Sequence, residues 1–145
     1  MEILQINEIN INKLDNYVLN INLKEYLDFY KLRDNSEYLE MIKKKIMSQN
    51  SISLVAIENN NVVGFMIGGI FDDDELKSKV AKVKYVTYEN SSNYESLLNK
   101  FEQIAKLKGC EYVSVCTPEF QREELNLLNS NGFSNYKVEL EKELI

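Results

Sequence analysis

The segment that most constrains the fold is a ten-residue run, Val62-Val63-Gly64-Phe65-Met66-Ile67-Gly68-Gly69-Ile70-Phe71, which carries no charge and no polar side chain. A strand apolar at alternate positions can lie at a surface. One that is apolar at nearly every position must be covered on both faces. Ahead of it lies another β-rich run, Ile52 to Glu58, joined to it by Asn59-Asn60-Asn61. Asparagine tolerates the positive φ that tight reversals need, so the two runs predict an antiparallel hairpin whose second strand is central to its sheet. Asp72-Asp73-Asp74-Glu75 closes that strand as a polar loop.

On either side of the hairpin the hydrophobic period changes repeatedly. Ile3 to Ile6 reads as a short first strand. Asn12 is placed to cap a helix, with Asp15 favourable to its dipole. Leu14, Tyr17, Val18 and Ile21 follow at helical spacing, and Leu23, Tyr26, Leu27 and Tyr30 resume it after a break near Asn22. A further helix starts at Ser36, with Leu39, Ile42 and Ile46 inward. Beyond the hairpin, Val80 to Tyr88 is a strand with Ala81, Val83, Tyr85 and Thr87 on one face. A helix from about Ser92 to Lys108 turns Leu97, Leu98, Phe101, Ile104 and Ala105 inward and stops at Gly109. Tyr112 to Cys116 reads as a buried strand. Thr117-Pro118-Glu119 opens a last helix carrying Phe120, Leu125 and Leu128, which ends at Asn131-Gly132. Tyr136, Val138, Leu140 and Leu144 then alternate with charged residues as a half-exposed strand. The order predicts an α/β chain (α+β, with a mixed sheet) covered by helices on both faces. No repeat, Pro-rich linker or Gly/Ser tract interrupts it, so residues 1–145 are expected to form one domain.

Composition then narrows the chemistry. With 145 residues, 44% of them hydrophobic, the chain can build a core without metal or disulfide. It has no histidine, which excludes Ser-His-Asp and Cys-His pairs, His-ligated zinc and histidine proton shuttles. Lys+Arg 17 against Asp+Glu 23 leaves a net charge of -6, and the only basic run, Lys43-Lys44-Lys45, reads as a solvated helix face. Nucleic acid is therefore not expected as a partner. No apolar stretch reaches the ~18 residues that span a bilayer, and Met1 to Gln5 lacks a basic leader, so no membrane is expected either. Cys110 and Cys116 flank a strand about 20 Å long, beyond the ~7 Å reach of a disulfide. Two buried, reduced thiols, a cytoplasmic location and no metal site are the expectation.

The order of elements resembles the GNAT superfamily of N-acetyltransferases. Val55 to Phe65 is similar to that family's second and third strands with their short turn. Leu97-Leu98 through Lys108-Gly109 and Tyr112-Val113-Ser114-Val115 are similar to its central helix and following strand. Asn131-Gly132-Phe133 is similar to its Gly-Phe pair. The resemblance implies transfer of acetyl from acetyl-CoA to a primary amine by direct attack, the acceptor being a small molecule or a peptide. It implies that the main chain of Tyr85, Val86 and Thr87 runs beside pantetheine. It implies also that Ser91, Ser92, Asn93 and Tyr94 receive the pyrophosphate at a helix N-terminus.

Glu89 to Ser96 holds no glycine and no arginine, whereas the family's loop is glycine-rich and preceded by Arg or Gln; the resemblance is to a divergent member with a degenerate pyrophosphate loop. Ser92-Asn93-Tyr94-Glu95 reads as a capping box, whose carboxylate about 6 Å from a phosphate would oppose it by ~3 kcal/mol before screening. Acetyl-CoA is therefore expected to bind weakly or not at all. Leu128 and Gln121 stand where many members have Tyr and Asn, which leaves the catalytic residues unassigned, with Tyr112 and Tyr136 as substitute acids and Glu89 as a carboxylate base. Tyr26, Phe29 and Tyr30 lie where the family walls its acceptor pocket, and Asp72 to Glu75 is placed to attract a cation. The alternative is a non-catalytic module of the same fold that binds another ligand or a protein. A homodimer is among the assemblies open to either.

Overall fold

The computed structural model describes residues 1–118, 122–135 and 142–144. Its hairpin pairs β2 (Ser51–Glu58) with β3 (Asn61–Asp73). Asn59 and Asn60 alone make the reversal, with φ of 51° and 65°, while Asn61 already pairs with Glu58. β3 is central, in the order β1-β2-β3-β4-β5, with β1 at Glu2–Gln5, β4 at Ser78–Tyr88 and β5 at Tyr112–Val115. All neighbours are antiparallel except β4 and β5. β3 runs further than the apolar stretch: Asp72 and Asp73 pair with Lys79 and Ser78, so the polar loop is shorter than expected.

Both faces of the sheet are covered, which explains the uninterrupted apolar run. Met66 and Val63 pack on one side with α4 (Ser91–Leu107) and with Leu128 of α5 (Arg122–Ser130). Phe65 and Ile67 pack on the other side with α1 (Asp15–Asn20), α2 (Lys24–Tyr30) and α3 (Asn35–Ile46). Each fully buried side chain of this kind contributes roughly 1.5–3 kcal/mol. The break near Asn22 separates α1 from α2 as expected. Asn12 does not cap α1; it lies inside a 3-10 turn, Ile11–Leu14, and the helix begins at Asp15. α3 starts at Asn35 because the Asp34 carboxylate accepts from the Glu37 N–H at 3.0 Å. α4 ends as expected: Gly109 takes φ of 86°, and the N–H groups of Cys110 and Gly109 close on the carbonyls of Ala105 and Lys106.

Further expectations need correction. Ala81, Val83, Tyr85 and Thr87 do not share a face. Ile67 pairs with Tyr85 but Gly68 with Val83, so Lys84 is an extra residue in β4. This bulge inverts the alternation, leaving Ala81, Val83 and Val86 toward α4 and turning Tyr85 toward α2 and α3. β5 is not a buried strand: Tyr112 is exposed and Val113 to Val115 are half-buried, since among the described residues β5 pairs with β4 alone. Cys116 is accordingly exposed and Cys110 half-buried, both as free thiols. On α5, Leu125 is exposed and Glu124 is buried beside Leu128. Thr117 and Pro118, expected to open that helix, are not helical and precede its described start at Arg122, while Glu119, Phe120 and Gln121 lie outside the described residues. So do Tyr136, Val138 and Leu140 of the expected last strand.

Candidate functional site

The pairing of β4 with β5 ends at Val83 and Val115, closed by the Cys116 N–H donating to the Val83 carbonyl at 2.9 Å. The Lys84 bulge follows at once. Beyond it β4 continues along β3 as far as Tyr88, so close that a Cβ on Gly64 would sit 2.6 Å from the Thr87 carbonyl oxygen. The two parallel strands part here. A cleft of about 340 Å³ fills the gap, bounded by the α1–α2 link and the start of α2, by Val86 to Tyr88, and by Thr117 and Glu124.

The N-terminus of α4 follows directly on β4. Asn90 caps it: its Oδ1 accepts from the Asn93 N–H at 3.1 Å, and Asn93 Oδ1 accepts from the Asn90 N–H at 3.0 Å. The capping box is therefore Asn90–Asn93 and not Ser92–Glu95, and Glu95 lies exposed in the second turn. An asparagine side chain has the reach for both halves of the box, and the Glu89 N–H is already committed to the Val63 carbonyl, which makes Asn90 the first residue free to cap. Ser92 Oγ donates to Asn90 Oδ1 at 2.6 Å. Ser91 Oγ donates to Glu123 Oε1 of α5. A carboxylate does stand at this helix end, complementing its dipole, but it belongs to Glu123.

The expected strand residues are similarly engaged. The Tyr26 hydroxyl accepts from the Val86 N–H at 3.0 Å and donates to the Val86 carbonyl at 3.2 Å. Tyr17 and Thr87 share a hydroxyl–hydroxyl bond at 3.0 Å. Tyr85 points away from the cleft into a ring cluster with Tyr26, Tyr30 and Tyr38, at centroid distances of 5.8 to 6.3 Å from it. Tyr94 is fully buried, edge-on to Tyr88 at 4.9 Å, and its hydroxyl has no hydrogen-bond partner among the described residues. Burial, and then the nearby Glu124, push its pKa up.

The fold thus gathers Tyr85 to Thr87 and Ser91 to Tyr94 around one end of the sheet. Thr87, Ser91, Ser92 and Asn93 bond within the protein through their side chains and Val86 through its main chain, whereas the Tyr94 hydroxyl has no partner among the described residues. The N-terminal dipole of α4 still favours an anion here, but Glu123 on Ser91 sets a like charge against a diphosphate.

One residue of the cleft was missed in the sequence. Glu124 is 6% exposed, and its Oε1 has no partner among the described residues. Burial, reinforced by the charge of Glu25, raises its carboxyl to about 7. The signal was the spacing to Leu128, four residues on and so on the same face; apolar Leu125, three residues before Leu128, competed for that reading.

The other candidates scatter. Leu128 is core. Tyr112 pairs with Val80, at the far end of β5 from the cleft. Glu89 lies near enough to Tyr17 to push its hydroxyl up, after burial and against its bond to Thr87. Of the expected acceptor wall only Tyr26 lines the cleft; Phe29 is exposed, and Tyr30 borders a groove with Met41, Lys44 and Lys84. Asp72 to Asp74 share an open basin with Lys77, Lys79 and Glu111, which dilutes its charge. Among the described residues no group of His, Cys, Asp and Glu is placed to hold a metal, and no helix is long and apolar enough to cross a membrane.

Solved structures match this architecture from end to end. A GNAT family acetyltransferase from Staphylococcus aureus is 16% identical with a TM-score of 0.69, over 99% of this chain and 100% of that one. An aminoglycoside acetyltransferase from an uncultured soil metagenomic sample, in complex with sisomicin, is 16% identical with a TM-score of 0.70, over 99% and 96%. An aminoglycoside N-acetyltransferase in complex with CoA is 13% identical with a TM-score of 0.67, over 99% of each chain. At these identities the likeness is one of fold: the chain has the fold of the GNAT acetyltransferases, a mixed sheet between two helical layers. No family model and no curated protein sequence matches it.

Proposed function

We propose that this chain, built on the GNAT acetyltransferase fold, is an N-acetyltransferase that moves acetyl from acetyl-CoA to a primary amine, with the cleft between β4 and α5 as its active site. The observation that supports this most is the parting of β4 from β5 at the Lys84 bulge, over a cleft that holds the Glu124 carboxyl at a pKa of about 7. A base of that strength is matched to neutral pH. It takes the proton that an ammonium must lose before its nitrogen acts as a nucleophile. Acetyl-CoA, when bound, supplies the activated acetyl group. Tyr85 to Thr87 are the strand residues assigned to its pantetheine arm, and Ser91 to Tyr94 the helix end nearest its phosphates. The acceptor is a small-molecule or peptidic amine. Two free thiols support a cytoplasmic location.

Thermal unfolding with and without millimolar acetyl-CoA tests this. A ligand at one hundred times its Kd adds ~2.7 kcal/mol, a rise on the order of 8 °C for a chain of this size. No shift contradicts the reading.

A second reading, a non-catalytic module of the same fold, is favoured by Tyr26 on Val86 and Glu123 on Ser91. Both places assigned to the acyl donor carry the protein's own side chains. In that case the cleft takes another ligand or a protein partner, and acetyl-CoA leaves the melting curve unmoved.

A further inference from the structure

On the face of the sheet that carries α3, Ile67, Gly69 and Phe71 recur at alternate positions of β3. They floor a groove of about 560 Å³ between the end of α3 and β4, which shares no lining residue with the cleft of Glu124. Gly69 keeps the floor flat: a Cβ there would stand 3.5 Å from the Phe71 ring and 3.3 Å from the Asn50 carbonyl oxygen. The charges around the groove are of one sign. Lys44 and Lys45 reach it from the last turn of α3, and Lys84, the extra residue of the bulge, reaches it from β4 beside Tyr85. Lys84 Nζ lies 5.8 Å from the centre of the Phe71 ring, and Lys82 Nζ lies 5.6 Å from it. No Asp or Glu lines the groove, and among the described residues none of these four ammonium groups has an ion-pair partner. Lys43, one residue before Lys44, is by contrast paired with Asp15 at 2.8 Å.

Lys44 and Lys45 complement the C-terminal dipole of α3, but Lys82 and Lys84 stand on a strand, where no dipole calls for them. Like charges gathered at one place in a chain of net charge -6 repel one another, and an anion relieves that repulsion. Lysine acts as a point charge and suits the compact phosphoryl group; a carboxylate is matched best by the flat fork of arginine, and no arginine lines the groove. The volume falls within the ~300–1,000 Å³ of small-molecule sites. We infer that this groove binds a small organic phosphate, its phosphoryl group held among Lys44, Lys45 and Lys84 and its apolar body laid against Phe71, Tyr30 and Met41. The inference goes beyond acetyl transfer and does not rest on it, since none of these residues belongs to the cleft assigned to that reaction.

Titration of the isotopically labelled full chain with phenyl phosphate at low ionic strength, followed through its amide resonances, tests it. The amides of Lys45, Gly69, Phe71 and Lys84 should shift together and saturate. Inorganic phosphate, which lacks the apolar body, and benzyl alcohol, which lacks the charge, should each bind at least about tenfold more weakly. Lys84→Gln should weaken phenyl phosphate about tenfold, and so should the paired replacement of Lys44 and Lys45 by Gln. Lys108→Gln removes an equal charge just past the end of α4 and should leave the affinity within about twofold. Phenyl phosphate binding no more tightly than inorganic phosphate means an adventitious ion only and overturns the inference. Shifts confined to the start of α4, or no saturation, overturn it as well. So does undiminished affinity in either lysine variant, provided that it still melts cooperatively.

Discussion

The hydroxyl of Tyr26 serves both main-chain groups of Val86, accepting from its N–H and donating to its carbonyl. A phenol on α2 thus does for β4 what a neighbouring strand would do, at the point where β5 has already turned away. Sealing the edge in this way satisfies two buried backbone groups, and it holds α2 against the sheet.

Replacing that phenol tests the seal. Tyr26→Phe keeps the ring packing and removes two bonds of net value about 1 kcal/mol each, so it should melt about 3–6 °C lower. With Val86 freed, the upward shift caused by acetyl-CoA should be larger in the variant than in the unaltered protein. Thermal scans of both proteins with and without acetyl-CoA read both effects, and an equal or smaller ligand shift contradicts the role given to Tyr26.

Glu124 links the cleft to stability. Its folded-state carboxyl titrates at about 7 against an ordinary value of 4.5. Between those values the folded chain holds a proton that the unfolded chain has lost, so stability falls as pH rises through this window, and the loss is complete above it. Glutamine does not titrate. Glu124→Gln should match the unaltered protein near pH 4.5 and exceed it at pH 8 by about 2 kcal/mol, solvent on the open side of the cleft screening part of the cost. Urea unfolding across that range measures the gap, and a gap that stays constant with pH is the contrary result.

The carboxylate at the start of α4 should govern the acyl donor. Glu123→Gln removes a negative charge from the helix end while leaving an oxygen for Ser91 Oγ. Acetyl-CoA should bind a few-fold more tightly, in line with the ~0.3–1 kcal/mol that a charge at a helix terminus is worth, and the gain should shrink with added salt. Titrations at low and high ionic strength distinguish this from a salt-independent packing change.

The bulge that opens the cleft depends on Gly68. A Cβ there would stand 1.9 Å from the Lys82 carbonyl oxygen and 3.0 Å from the Phe101 ring. Gly68→Ala should destabilise the protein by about 3 kcal/mol, since backbone must move to admit it. Gly109→Ala, with open space around the added carbon but φ of 86°, should lose only about 1 kcal/mol. Denaturant midpoints rank the two.

The hairpin, the central strand and α4 were legible because they are written in hydrophobic period, and burial on both faces leaves no other arrangement for Val63 to Ile67. The faces of β4 were not. Val83-Lys84-Tyr85 reads as ordinary alternation, and only the pairing with Ile67 and Gly68 makes Lys84 the extra residue. At the helix start Ser92-Asn93-Tyr94-Glu95 carries the usual capping signature, yet the cap falls on Asn90, next to the last bonded residue of β4. Glu124 ran against the rule that carboxylates face water. The departure fell in the cleft, where burial of its carboxyl costs stability. Hydroxyl contacts such as Tyr26 on Val86, sixty residues apart, leave no local pattern at all.

The most direct measurement is a titration of the isotopically labelled protein with acetyl-CoA, followed through its amide resonances, which detects binding even at millimolar Kd. Acetyl transfer in this cleft predicts that the amides of Val86, Thr87 and Tyr88 shift on saturation together with those at the start of α4. Unmoved resonances there, or shifts confined to another face of the sheet, contradict it.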